Sequence, residues 1–250
     1  MTQGEKGIMF YRRLISLAAV IILALAASVT IFAANSTDKR NETGRVYEPV
    51  NLAVLIQDDL TTQVSNELAV TRDFITSLPS GSRVMVGYIT AGSLQIRQPF
   101  TTDLGKAGRS LRILRSSTSS SPFNPYEQVV QALRSFDGRF KGRNAVLLIS
   151  DGLDTSRGFD LSSSLNTIDL ERAIKQANDR NVAVYSFYAP SVGLTSRSGM
   201  AASFGQSSLN RLANDTGGEA FFQGISGFVT FDSYFKHLRQ TLNEQSARPS

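Results

Sequence analysis

Two fully apolar runs, Leu52–Ile56 (LAVLI) and Ala145–Ile149 (AVLLI), constrain this chain more than any other feature. Neither contains a polar residue, which is the pattern of a strand covered on both faces. Each then breaks into a polar turn, Gln57-Asp58-Asp59-Leu60-Thr61-Thr62 in one case and Ser150-Asp151-Gly152-Leu153-Asp154 in the other. Amphipathic segments alternate with further short strands around them. Val64, Leu68, Thr71, Ile75 and Leu78 recur at helical spacing until Pro79-Ser80-Gly81 ends the pattern. Val84–Ile89 is a second strand, and Thr90-Ala91-Gly92 turns it into a hairpin partner with Leu94, Ile96 and Pro99 in alternation. Leu104, Ala107, Leu111 and Leu114 mark a helix, with Arg109, Arg112 and Arg115 as its solvated stripe. A serine-rich loop, Ser116–Ser121, precedes a helix opened by Pro125. Further on come a helix carrying Leu170, Ala173, Ile174 and Ala177, and a strand at Val182–Tyr188. A short helix with Leu209 and Leu212, a brief strand at Ala220–Phe222 and a last helix with Phe228, Phe231, Phe235, Leu238 and Leu242 complete the order. Strands alternating with helices, with two apolar strands at the centre, predict an α/β fold with a doubly wound sheet.

In such a sheet, ligands sit outside the carboxyl ends of the strands, where the strand order reverses. If the two apolar strands are neighbours, Asp58 and Asp151 converge on one rim. Composition limits what that rim can do. The 250 residues include no cysteine and one histidine, His237, so disulfides, thiol nucleophiles, zinc fingers, iron–sulfur clusters and multi-histidine metal sites are excluded. What remains is carboxylate, hydroxyl and amide oxygen, suited to Mg²⁺, Ca²⁺ or Mn²⁺. His237, beside Phe235 and Leu238, reads as a structural residue. A formal charge of +5 is weak evidence for nucleic acid, and the one candidate basic stripe, Arg109, Arg112 and Arg115, reads as a solvated helix face, so no nucleic-acid partner is expected.

The amino-terminal end is different. Residues 14–34 carry no charge. At about 1.5 Å per residue they would cross a hydrocarbon core about 30 Å thick. The segment reads as a transmembrane signal anchor, with a secretory signal peptide as the alternative. The short tail 1–13, with Arg12 and Arg13, favours a cytoplasmic amino terminus and a domain outside the cytoplasm, in the periplasm or at the cell surface, although Lys and Arg are evenly distributed on the two sides. Residues 35–49 form a polar linker, 50–243 the folded domain and 244–250 a tail.

LAVLIQDDLTT followed by a helix, then AVLLISDG and the strand YSFYAP, resembles the von Willebrand factor A (VWA) domain, and in particular bacterial VWA-related proteins with an amino-terminal membrane segment. The resemblance covers Asn51 to about Leu242. It implies a Rossmann-like, mostly parallel sheet with one antiparallel edge strand, a protein partner, and a metal-ion-dependent adhesion site of pattern D-x-S-x-S with a distant Thr and a distant Asp. In that pattern Asp58 is the first Asp, Thr62 the second hydroxyl and Asp151 the distant Asp, while Leu60 occupies the first hydroxyl position. Shifting the frame by one gives Asp59, Thr61 and Gln63 instead. Phe123 falls near the distant Thr, with Ser120 or Ser121 as substitutes. The expected site is therefore degenerate: Asp58, Thr62, Asp151 and Ser121 around Mg²⁺, Mn²⁺ or Ca²⁺, or around no ion. The chain is expected to be a membrane-anchored protein-binding module rather than an enzyme. The alternative is a Mg²⁺-dependent phosphoryl-transfer or receiver-like domain built on Asp58-Asp59, which lacks the Lys such a domain needs after a late strand.

Overall fold

The computed structural model describes residues 47–116, 123–158, 167–222 and 229–246. Among these no helix is long and apolar enough to cross a membrane, and the apolar segment 14–34 lies outside them.

The first apolar run is β1 (Val50–Gln57), followed by two helices, α1 (Gln63–Asn66) and α2 (Leu68–Thr76). The hairpin follows as β2 (Arg83–Thr90) and β3 (Ser93–Thr101), turning at Gly92 with φ +71°. Next come α3 (Leu104–Arg109), α4 (Pro125–Leu133), the second apolar run as β4 (Arg143–Ser150), α5 (Ile168–Asp179) and β5 (Val182–Tyr188). The chain continues through α6 (Leu194–Arg197), α7 (Gly199–Asp215), β6 (Ala220–Phe221) and α8 (Asp232–Ser246). The side chains of Asp103, Asn124, Thr167 and Ser198 accept hydrogen bonds from the first turns of α3, α4, α5 and α7, so four helix starts are fixed by their own N-cap residues.

The six strands form one sheet in the order β3-β2-β1-β4-β5-β6. Every pairing is parallel except β2 with β3, at the edge. Ile56 lies opposite Tyr88 on one side and Ile149 on the other, so the two apolar runs are neighbours at the centre. Their composition follows from their position. Leu52, Val54 and Ile56 pack on one face with Phe74 and Ile75 of α2 and Phe235 and Leu238 of α8. Ala53 and Leu55 pack on the other with Val129 and Leu133 of α4, Leu170 of α5 and Leu209 of α7. Phe187 of β5 stands among Phe221, Phe231, Tyr234 and Phe235 at ring distances of 5.0–5.4 Å, and this aromatic cluster fastens α8 to the sheet.

Two segments differ from their sequence pattern. The run Leu104–Leu114 is helical only to Arg109, and residues 111–116 form no regular structure. The short helix expected around Leu209 is instead α7, 17 residues long.

Candidate functional site

Strand order reverses between β1 and β4, so the crevice at their carboxyl ends is where ligands collect in this architecture. Gln57, the last residue of β1, is its hub and is almost wholly buried. Its Nε2 donates to Asp59 Oδ1 at 2.8 Å and to Asp151 Oδ1 at 3.2 Å. Its Oε1 accepts from Ser150 Oγ at 2.5 Å and from the Asp151 N–H at 3.3 Å. One amide therefore ties two carboxylates from different strands together. Burial pushes the Asp59 carboxyl up to about 7, the nearby charge of Asp151 adds to this, and the Gln57 hydrogen bond opposes it. Burial also raises Asp151, against hydroxyl and amide donors that favour its charged form. Close by in sequence, the buried Thr61 Oγ1 has no hydrogen-bond partner among the described residues, an unusual condition for a buried hydroxyl.

The turn after β4 is fixed from behind. Gly152 has φ +73° and packs backbone to backbone on Gly205 of α7. The Tyr126 hydroxyl donates to the Gly152 carbonyl at 2.5 Å. A third strand end joins the first. Thr61 N–H donates to Pro190 O at 2.9 Å, Val192 N–H donates to Asp59 O at 2.8 Å, and Leu60 forms an antiparallel bridge with Ser191. The loop after β1 is thereby stitched to the loop after β5.

Asp58 has a different role. Arg112 grips it in fork fashion, Nη1 to Oδ1 at 2.7 Å and Nη2 to Oδ2 at 2.9 Å. The Arg115 N–H donates to Oδ1 at 3.1 Å, and the Ser116 N–H donates to the Asp58 carbonyl at 3.1 Å. Burial pushes this carboxyl up, but the Arg112 and Arg115 hydrogen bonds outweigh it and hold it below the ordinary range. The Arg112 guanidinium also lies over the Tyr88 ring, 4.0 Å from its centroid. These contacts explain why residues 111–116 leave the helix: the three arginines form no stripe, because two of them clasp Asp58.

Of the expected site residues, then, the geometry brings Asp151 to the crevice but pairs it with Asp59, not Asp58. Thr62 is exposed and its side chain caps nothing. Gln63 of the shifted frame is also exposed. Leu60 is buried in the core, and so is Phe123, whose N–H donates to Thr155 Oγ1 at 2.9 Å. Ser120 and Ser121 lie outside the described residues. Asp58 and Asp59 face different partners, so they are not the paired acids that the phosphoryl-transfer alternative requires. His237 is exposed on α8, 3.4 Å from Glu219. Gln57, Ser191 and Thr195 were not legible as site residues. A signal for Asp59 existed in the alternation of β1, where odd-numbered residues share a face that Gln57 and Asp59 continue.

No protein-family model matches the sequence, and no curated protein matches it either. Solved structures do. An aerotolerance-related membrane protein from Bacteroides fragilis superposes with a TM-score of 0.56 at 14% identity, over 79% of this chain and 99% of that one. BatB from Bacteroides thetaiotaomicron, a conserved hypothetical protein, gives 0.55 at 17% identity, over 81% and 100%. The strand order, with its single antiparallel edge, agrees with the arrangement implied by the sequence resemblance. The fold is that of a von Willebrand factor A domain. A von Willebrand factor type A protein from Catenulispora acidiphila is also similar, with a TM-score of 0.49 at 17% identity over 80% of this chain and 42% of that one. At these identities the likeness is one of fold, and the VWA rim of this chain has to be read from its own residues.

Proposed function

We propose that this VWA domain is a protein-docking module, tethered to a membrane by residues 14–34, held outside the cytoplasm, and working through the rim at the carboxyl ends of β1, β4 and β5. The observation that carries this reading is the pairing of Asp59 with Asp151 on the single amide of Gln57. Two partly desolvated carboxylates at one point repel each other, and the Asp59 carboxyl is raised first by its burial and then by the nearby charge of Asp151. A hard divalent cation relieves it. The donors that the Gln57 amide brings together, Asp59 and Asp151, are oxygen, and the unpartnered Thr61 hydroxyl lies two residues from Asp59 in the chain; oxygen donors of this kind suit Mg²⁺, Mn²⁺ or Ca²⁺ with water completing the shell. When bound, the ion would supply positive charge able to accept an acidic group from a partner.

The chain's own contribution is to present and exclude. Gln57 holds the two carboxylates in register. The Asp58–Arg112 clasp fixes residues 111–116 beside them, turning Leu111 and Leu114 inward and leaving Ile113, 75% exposed, and the exposed Arg115 outward. An aliphatic knob and a cation next to a metal-bearing rim favour an acidic partner with an apolar neighbour to its carboxylate.

Melting the full chain, in detergent, with EDTA or with Mn²⁺, Mg²⁺ or Ca²⁺ tests the cation. At about a hundredfold excess over Kd, binding adds about 2.7 kcal/mol, or roughly 5 °C for a chain of this length. Asp59→Asn and Asp151→Asn should each abolish the rise, which should be larger at pH 8 than at pH 5 because protons compete for the carboxylates. Coincident melting curves in EDTA and in all three metals would refute the cation reading. The tether has its own test. The chain contains no cysteine, so a single Ser93→Cys on the exposed hairpin turn gives one labelling site. A membrane-impermeant maleimide should label it in intact spheroplasts; labelling only after lysis would reverse the orientation.

A further inference from the structure

Only one oxygen of Asp151 is accounted for by β1 and by its own turn. Oδ1 accepts from Gln57 Nε2 at 3.2 Å and from the Leu153 N–H at 3.1 Å. Oδ2 faces the loop after β5, where Thr195 Oγ1 lies 3.5 Å away. Thr195 does not act alone. Its Oγ1 accepts from the Ser191 N–H at 2.7 Å and stands 3.0 Å from Ser191 Oγ. Both residues are buried, at 3% and 4% exposure. With one lone pair of Thr195 taken by the Ser191 N–H, its single proton is left for the Ser191 hydroxyl, the Tyr188 hydroxyl or Asp151 Oδ2. The hydroxyls of both residues favour the charged form of Asp151. The loop that carries them is stitched by the Leu60–Ser191 bridge to the segment bearing Asp59 and Thr61. One strap thus spans both halves of the crevice.

We propose that the Ser191–Thr195 hydroxyl pair is a positioning device of the cation site, holding Asp151 through Oδ2 so that its carboxylate stays beside Asp59. The inference rests on the reading of Asp59 and Asp151 as a cation site. Its physical basis is that hydrogen bonds to a ligating carboxylate fix its orientation, and their loss typically costs ten- to a hundredfold in metal affinity. The donors come from the loop after β5 and from α6, 40 and 44 residues beyond Asp151 in the chain, and neither residue belongs to the adhesion-site pattern.

The test is Mn²⁺ affinity of the full chain, by calorimetry, for the parent, Asp151→Asn, Thr195→Val and Thr195→Ser. Thr195→Val should weaken Mn²⁺ about tenfold or more, and Thr195→Ser, which keeps the hydroxyl, should restore most of the loss. A purely structural role would instead lower the melting temperature of Thr195→Val in EDTA while leaving Mn²⁺ affinity unchanged, and that result overturns the inference while the cation site stands. A parent that binds no Mn²⁺, or an Asp151→Asn variant that binds it as the parent does, overturns the cation site itself and the inference with it. If Thr195→Val does not fold, Ser191→Ala is read in the same way, with weakened Mn²⁺ binding supporting the inference and unchanged binding overturning it.

Discussion

Gly205→Ala should destabilise the domain by about 3 kcal/mol, at the upper end of what overpacking usually costs. A Cβ on Gly205 would lie 1.9 Å from the carbonyl oxygen of Asp151. The reverse contact is also too close, since a Cβ on Gly152 would lie 2.3 Å from the carbonyl oxygen of Gly205. Both obstacles are backbone, so no side chain can rotate away. Helix α7 would have to retreat from the β4 turn, withdrawing Leu209 and Leu212 from the core they share with Val146 and Leu148. The retreat would also disturb Asp151, so Mn²⁺ binding should weaken along with stability. Gly217 supplies the control. Unlike helical Gly205 it has a positive φ, +76°, but nothing lies within 4 Å of where its Cβ would stand. Gly217→Ala should therefore cost only the left-handed backbone strain, about 1 kcal/mol. Urea unfolding of the two variants would measure the difference. Equal destabilisation would mean that the Gly152–Gly205 contact is not the tight junction described.

The parts of the fold legible in the sequence were those whose burial repeats in sequence. The central runs of β1 and β4, Leu52–Ile56 and Ala145–Ile149, are apolar throughout because helices cover both faces, and that pattern is local. Helix α7 is longer than its apolar pattern around Leu209 and Leu212 for a related reason. Its buried face near the β4 turn is Ala201, Ala202, Gly205, Gln206 and Ser208. Small and polar residues are what a close helix–turn approach demands, and they give almost no hydrophobic periodicity. The segment 111–116 misled in the opposite way. Leu111 and Leu114 are buried as a helix would bury them, but the hydrogen bonds that hold the backbone go to Asp58 and to the Tyr88 hydroxyl, which donates to Arg112 O at 3.2 Å and accepts from Arg112 N–H at 2.7 Å. These partners are distant in sequence and invisible to a local pattern. The same holds for the site. The place of Asp151 at the crevice is legible because it ends an apolar strand. Choosing between Asp58 and Asp59 needed the alternation of β1 carried past its end, where Leu60 rejoins the face of Val54 and Ile56. Ser191 and Thr195 carried no sequence signal, because their relation to Asp151 exists only once β5 lies beside β4.

Arg112→Met should cost about 3 kcal/mol at neutral pH, the range for removing one partner of a buried ion pair. Asp58 is 4% exposed, so without the guanidinium its charge is left with the Arg115 N–H and with Arg115 Nε at 3.6 Å, on a side chain that is largely solvated. The loss should depend on pH in a defined direction. In the parent, Asp58 is held below its ordinary value. The stabilisation it contributes is therefore complete above the unfolded carboxylate value, near 4, and fades as pH falls through the lower folded value. In the variant, burial acts with far less opposition and the carboxyl moves up, so acid relieves the variant while it weakens the parent. The gap between their urea midpoints should be widest at pH 7 and should narrow towards pH 3. A gap of constant width would assign the cost to lost packing of Arg112 on Tyr88 rather than to the ion pair. Pairing Arg112→Met with Asp58→Leu separates the two further. Removing both charges should recover much of the stability, as replacing a buried pair by apolar groups often does, whereas a double variant worse than either single would show that the clasp holds residues 111–116 by shape rather than by charge.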